Sequence, residues 1–282
     1  MSSITDFNWQ CPACNEALSL HSRVWQCSNN HRFDCAKEGY VNLLLAQHKN
    51  SKAPGDSKEM VIARQQFLEQ GYYRPLANNI SALIVSQVDQ VAPFTLFDAG
   101  CGEGYYTGQV LDNLNAAGVS VSACGIDISK PAILKAAKRK KDIQFAVAST
   151  YQIPLANESQ DTAIQVFAPS SAEEIHRILK DGGIWIKVNP AEDHLFELKE
   201  MVYDEPAKHN VDAEINIGFS QLSEHRCSFD IELDNPQQRE NLLMMTPFYW
   251  SISASKKQHV LQNLSSVKTD FIISVYQKDR IS

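Results

Sequence analysis

No apolar run in this sequence reaches the ~18 residues that a membrane-spanning helix needs. The opening residues, MSSITDFNWQ, have neither the basic patch nor the apolar stretch of a secretory signal, so a cytoplasmic protein with no membrane partner is expected. Positive charge is in short supply. The 26 basic residues are outnumbered by 33 acidic ones, for a net charge of −7, which argues against a protein that coats nucleic acid by charge alone. A local basic patch is not excluded by that total. The phosphate loop G-x-x-x-x-G-K-S/T is missing as well. Cysteine is not scarce. There are seven, an odd number for a cytosolic chain, and metal binding or burial is favoured over disulfides. The 282 residues suit one large domain, or a medium one with a small appendage.

Four of those cysteines and two histidines fall between residues 11 and 35. Cys11 and Cys14 form a tight C-P-A-C pair, and after LSLHSRVWQ, which reads as a short hairpin, come Cys27 and His31. Cys11, Cys14, Cys27 and His31 make a Cys3His set, as a closed tetrahedral zinc site requires. Four protein ligands leave no open position, so such a metal is structural. Cys35 is the alternative fourth ligand, His21 sits in the hairpin, and simple burial of the cysteines is the metal-free reading. Against that last reading, a segment of about 40 residues has little core without a staple. Asn29-Asn30 tolerates the left-handed turn of a second knuckle. Beyond the knuckles, Tyr40 to Leu45 can dock on the rest of the protein. The polar stretch containing Lys49, Lys52, Pro54, Gly55 and Asp56 reads as a linker, either solvated or touching a nucleic acid.

Residues 58–90 carry helical periodicity with a break at Gly71 and Pro75. TLFDAGCGEGYYTGQVL then gives an apolar strand ending in Asp98, a glycine-rich turn and a helix start. Gly100, Gly102 and Gly104 allow a tight turn and close backbone approach to a ligand. The spacing is not the dinucleotide G-x-G-x-x-G, because Tyr stands at position 105. It resembles motif I of the S-adenosylmethionine-dependent methyltransferases. VSACGIDIS is a second strand ending in Asp127, which either meets ribose hydroxyls or caps a helix. DIQFAVAST ends near Ala148 and Ser149, beside an adenine. TAIQVFAP is a fourth strand, EEIHRILKDGG a helix stopped by glycine, and IWIKVNP a fifth strand. The run KAAKRKKD is either an RNA-facing patch or the solvated side of a helix. DHLFELKEMVYDEPA reads as a helix. A strand, a helix capped by Asn235 and started by Pro236, and a closing strand TDFIISVYQK follow. Met244, Met245, Phe248, Tyr249 and Trp250 are either a base-stacking surface or core.

The fourth strand ends in Phe167-Ala168-Pro169-Ser170-Ser171. It lacks the Pro-Pro-aromatic corner typical of exocyclic-amine methylation and the Pro-Cys of cytosine C5 chemistry. A ring nitrogen or a small molecule remains as acceptor. A protonated ring nitrogen must lose its proton as the methyl arrives. Glu192, Asp193 and His194 are candidates for taking it, and none is assigned as catalytic.

Seven stretches together resemble the bacterial 23S ribosomal RNA guanine-N1 methyltransferases: C-P-x-C, C-x3-H-x-F-D-x-A-K-E-G-Y-V-N-L-L, P-G-D-S-x-E-M, D-x-G-C-G-E-G-Y-Y, A-P-x-x-A-E-E, H-L-x-E-L-K and M-T-P-F-x-W. They span residues 11 to 250. The resemblance implies an α/β fold: a class I Rossmann-like methyltransferase sheet with an antiparallel last strand, plus a small N-terminal zinc-binding module. The expected division is a zinc-binding RNA-recognition module at 1–45, a linker at 46–60 and a methyltransferase domain at 61–282. The implied reaction is N1 methylation of one guanosine in a 23S rRNA hairpin near the peptide exit tunnel. In some members this confers resistance to macrolides. Tyr73 would cover the cofactor, Gly102 and Glu103 line it and His194 reach it, with zinc on Cys11, Cys14, Cys27 and His31. A homodimer with paired zinc modules is implied too. VNLL-x-x-QHK is closer to the Gram-negative subgroup. A small-molecule methyltransferase and a non-catalytic rRNA-binding or assembly factor are the competing functions. The zinc segment weighs against the first, and the intact loop with Asp127 against the second.

Overall fold

The computed structural model describes residues 9–48, 54–87, 94–211 and 216–280. Lys49, Lys52 and positions 88–90 of the expected second helix lie outside the described residues.

The front segment folds as a three-stranded antiparallel sheet of β1 (Ser19–His21), β2 (Val24–Gln26) and β3 (Arg32–Asp34). The hairpin between β1 and β2 turns on Ser22 and Arg23, both at positive φ (46° and 73°), which matches the twist of a two-residue loop. β4 (Val41–Asn42) then leaves this sheet and pairs in parallel with a strand of the larger one.

The larger sheet comprises β4, β5 (Phe94–Ala99), β6 (Val121–Asp127), β7 (Gln144–Val147), β8 (Gln160–Val166), β9 (Leu179–Pro190), β10 (Phe219–Glu232) and β11 (Ser266–Lys278). Its order is β10-β11-β9-β8-β5-β6-β7-β4. The stretch from β9 to β4 is parallel, whereas β11 runs antiparallel to β9 and β10 antiparallel to β11. The central strands are buried on both faces, which explains their continuous apolar runs.

The helices are α1 (Lys58–Leu68), α2 (Arg74–Gln87), α3 (Tyr105–Ala116), α4 (Lys130–Arg139), α5 (Ala172–Ile178), α6 (Phe196–Val202), α7 (Pro236–Met244) and α8 (Ala254–Asn263). Among the described residues no helix is long and apolar enough to cross a membrane. Strand order reverses at β5, which lies between β6 and β8, so a crevice opens beyond their carboxyl ends.

Alternate residues of the sheet feed two cores. Leu96 and Ile186 join one with Phe67, Tyr73 and Leu76; Phe97, Ile126 and Trp185 join the other. That second core also takes Trp9, Cys11, Leu18, Trp25 and Cys27 from the front segment.

Two expectations need correction. Pro75 does not break a helix. It sits at the start of α2, where its missing N–H costs nothing, and the break is the turn at 69–73. The helix before Lys180-Asp181-Gly182-Gly183 ends earlier, at Ile178. Leu179 is already extended (φ −74°, ψ 140°), and those four residues belong to β9. The Asn235 cap holds as a reciprocal capping box with Gln238.

Candidate active site and metal centre

The metal centre arises from two knuckles. The Cys11 carbonyl accepts the Asn15 N–H at 2.8 Å, and the Cys27 carbonyl accepts the Asn30 N–H at 3.0 Å. Asn15 and Asn30 both sit at φ 61°, a conformation that asparagine tolerates. Cys14 Sγ and Cys27 Sγ lie 3.8 Å apart, and His31 Nδ1 lies 3.5 Å from both Cys11 Sγ and Cys27 Sγ. Tetrahedral zinc with ordinary bond lengths requires S···S of about 3.8 Å and S···N of about 3.6 Å. The four ligand atoms all lie within 4.8 Å of one another. The three closest separations match those of a tetrahedral zinc site. Hydrogen bonding from Asn29 and the Glu16 backbone draws the Cys14 thiol down to about 6, toward the thiolate a metal needs, while burial raises Cys11. Cys35 turns its Sγ to the Ala36 carbonyl instead, and His21 is exposed on β1.

The second site lies at the crevice. Gly100, Gly102 and Gly104 all adopt left-handed φ (79°, 56° and 78°). A Cβ on Gly100 would stand 2.3 Å from Ala168 Cβ, and one on Gly104 would stand 2.9 Å from Ala136 Cβ. Asp98 accepts the Thr107 hydroxyl at 2.5 Å, and burial pushes its carboxyl up to about 7. At the end of β6, Asp127 accepts the Gly102 N–H at 3.0 Å and the Ser129 N–H at 2.7 Å. Burial nonetheless raises its pKa. Ala148 donates its N–H to the Asp127 carbonyl at 3.1 Å.

Glu103 is 2% exposed, burial raises its pKa, and its Oε1 has no hydrogen-bond partner. The buried Tyr105 and Tyr106 hydroxyls are also unpaired. Buried orphans beside a glycine cradle are what a missing polar ligand leaves behind. Gly100, Gly102, Gly104, Asp98, Glu103, Asp127 and Ala148 thus lie together at the carboxyl ends of β5, β6 and β7, and their donors and acceptors suit an adenosyl group with an amino-acid tail.

Tyr73 and His194 both pack on Phe271, in an aromatic cluster that also holds Phe167. The Phe271 ring lies 5.4 Å from Tyr73, 4.6 Å from His194 and 5.2 Å from Phe167. Phe167 is 42% exposed and holds a left-handed φ of 55°. That is costly for a bulky residue and points to a functional site. The Gln165 side chain pins the corner by donating to the Ala168 carbonyl and accepting the Ser170 hydroxyl.

Of the proton-acceptor candidates, Glu192 is bonded to Arg226, and hydrogen bonds from Lys208 and Lys268 hold Asp193 low. His194 accepts the Asp270 N–H at Nδ1, and burial, aided by His209, takes it down to about 3. It is therefore a neutral imidazole with its proton on Nε2, a donor rather than a base.

Arg64 of α1 stands beside the glycine loop, near Gly102. It pairs with Asp56 at the same crevice, and no local motif marks it, because the loop it faces is far away in the chain. Another opening, of about 760 Å3, lies between the zinc knuckles and the segment after β7. Its charged pair, Glu174 and Arg177, is satisfied by itself and by the Ile153 and Leu155 carbonyls, so it is a structural seam.

Comparison with known proteins bears on both regions of the chain. Residues 9–52 match the zinc-ribbon family described as RlmA, N-terminal, and residues 93–265 match a methyltransferase-domain family. YxjB of Bacillus subtilis, a candidate 23S rRNA (guanine-N1)-methyltransferase, is 34% identical over 89% of this chain and 90% of its own length. The chain belongs to the 23S rRNA (guanine-N1)-methyltransferase family. A Streptomyces fradiae relative, named for guanine-748 N1 methylation of 23S rRNA, is 36% identical over 67% of this chain and 65% of its own. The cofactors of the family member described here are S-adenosylmethionine and a structural zinc ion.

Proposed function

We propose that this protein transfers a methyl group from S-adenosylmethionine to N1 of one guanosine in a hairpin of 23S rRNA. The observation that carries the reading is the union, in one chain, of a Cys3His centre at zinc spacing and an acidic glycine crevice. The relatives matched along the chain carry the corresponding name. The module of residues 1–45 would read the RNA, 46–60 would link, and 61–282 would carry the chemistry. A cytoplasmic homodimer is part of the same proposal.

When bound, the cofactor supplies an electrophilic sulfonium methyl. The residues have separate tasks. Asp127 holds the ribose hydroxyls, and Ala148 lies beside the adenine. Gly100, Gly102 and Gly104 let the backbone approach, with Asp98 bracing the loop through Thr107. Glu103 lines the amino-acid end. Tyr73 covers the crevice, and His194 donates from Nε2. The cofactor bound there would supply the methyl for N1, and the N1 proton would leave to solvent, since neither Asp193 nor His194 is a poised base. The exposed aromatic corner at Phe167 would orient the base.

The test is methyl transfer from labelled cofactor to 23S rRNA from a strain lacking the enzyme, with the modified base mapped. One N1-methylguanosine is expected, and its position names the subgroup. Absence of RNA labelling in zinc-loaded, cofactor-binding protein would sink the rRNA reading in favour of a small-molecule acceptor or a non-catalytic factor.

A further inference from the structure

The crevice walls are acidic. Asp98, Glu103 and Asp127 surround the glycine loop, and each is raised in pKa by burial. Such walls suit ribose hydroxyls and an ammonium group. They repel a carboxylate, yet the amino-acid tail of the cofactor carries one.

Arg64 on α1 supplies the missing charge. Its side chain is 24% exposed and reaches over the loop, so that a Cβ on Gly102 would meet Arg64 Nη1 at 3.8 Å. Burial opposes its charge, but Asp56, Glu103 and Asp127 hold its pKa above the ordinary value. Among the described residues its side chain has one hydrogen-bond partner, Asp56. A guanidinium has five N–H donors in a planar fork, and most of this fork is unused. The neighbouring cation is committed elsewhere: Arg139 binds Glu69 at 3.1 Å and the Glu103 carbonyl at 3.3 Å. A second observation points to the same ligand. Glu103 Oε1 is buried and unpaired, and Arg139 at 3.9 Å is beyond hydrogen-bond range.

We infer that Arg64 anchors the α-carboxylate of the cofactor's amino-acid tail, across the loop from Glu103, which takes the α-ammonium. Asp56 is the positioning residue. Its carbonyl accepts the Ser129 hydroxyl at 2.8 Å, and Gly55 is pressed against Ile128 and Ser129. Ser129 in turn donates its N–H to Asp127. One network therefore ties the carboxylate anchor to the ribose end.

The inference rests on reading this crevice as the S-adenosylmethionine site, and the test separates the two. Calorimetry would compare S-adenosylhomocysteine with its decarboxylated analogue, which differ only in the carboxylate. Wild-type protein is expected to bind the first at least about 10-fold more tightly, as a charged bidentate hydrogen bond provides. Arg64→Ala should bind both alike, and Arg64→Lys should fall between. Circular dichroism checks folding. If Arg64→Ala does not fold, the wild-type ratio and Arg64→Lys still decide. Equal loss of both ligands in the variants, or equal wild-type affinity for both, overturns the anchor and leaves the cofactor site standing. Failure of wild-type protein to bind either ligand overturns both readings.

Discussion

At the scale of single residues, burial decides which groups carry charge. Two backbone N–H groups hold the Asp127 carboxylate and favour its charged form, against the burial that raises its pKa. Asp127→Ala removes the proposed acceptor for the ribose hydroxyls together with the observed acceptor of the Gly102 N–H. Cofactor affinity should fall by about 10- to 100-fold in calorimetry, at unchanged zinc content. An affinity within twofold of wild type would remove Asp127 from the site. His194 carries the opposite lesson. Burial takes its pKa down to about 3, whereas the unfolded imidazole titrates near 6.5. Above that value both states are neutral and the residue is silent. Below it the unfolded chain takes up a proton that the native chain refuses, so stability is lost as pH falls toward 3. Relative to His194→Gln, wild-type protein should lose up to about 1.4 kcal/mol of unfolding free energy per pH unit between pH 6.5 and 3. Denaturant titrations at pH 7, 6 and 5 measure it, and a constant difference would contradict the assigned burial.

At the scale of elements, the loop between β5 and α3 has no room for a side chain at Gly100 or Gly104. Gly100→Ala places a methyl 2.3 Å from Ala168 Cβ at φ 79°, so the corner holding Phe167 must shift. Methyl transfer should fall more than about 10-fold, since misplacement by 1 Å costs as much as 10²-fold. Steady-state rates with rRNA would reveal it, and a normal rate would mean the corner is not part of the site. This element was legible in the sequence, because buried parallel strands read as apolar runs and the glycines mark the turn that follows. The strands ending at Asp98, Asp127 and Ala148 were legible for the same reason. β4 was not, since two residues have no periodicity and only their pairing with β7 makes them a strand. The end of α5 was misread because Gly182-Gly183 resembles a helix stop, while sheet pairing claims Leu179 first. Arg64 escaped notice because its significance depends on a loop brought near only by folding.

At the scale of the whole molecule, the zinc module is built into the sheet it precedes. Gln10 donates its N–H to the Pro154 carbonyl at 2.8 Å, and Trp9 bridges Leu155. Lys141 Nζ donates to the Glu38 carbonyl at 2.9 Å, so part of the basic run at 135–141 is a brace. Arg139 and Lys140 are likewise engaged, with Glu69 and Asp112. With a net charge of −7 and much of its densest basic run engaged in ion pairs, the proposed RNA contact would rest chiefly on shape and a few local groups. The shared core has a further consequence. Trp9, Leu18, Trp25 and the ligands Cys11 and Cys27 are buried with Phe97 and Ile126 of the main sheet. Four ligands fix the wall that those residues form, so zinc binding is linked to folding of more than the module. A strong zinc chelator should therefore lower the main calorimetric transition by about 5 °C, the shift that a loss of about 3 kcal/mol gives in a chain this long. The Cys27→Ser variant should show the same shift without chelator. A module folding by itself would instead lose a small separate transition and leave the main one in place. That result would make the zinc segment an appendage, and the continuity of the core from Trp9 to Phe97 would carry no energetic weight.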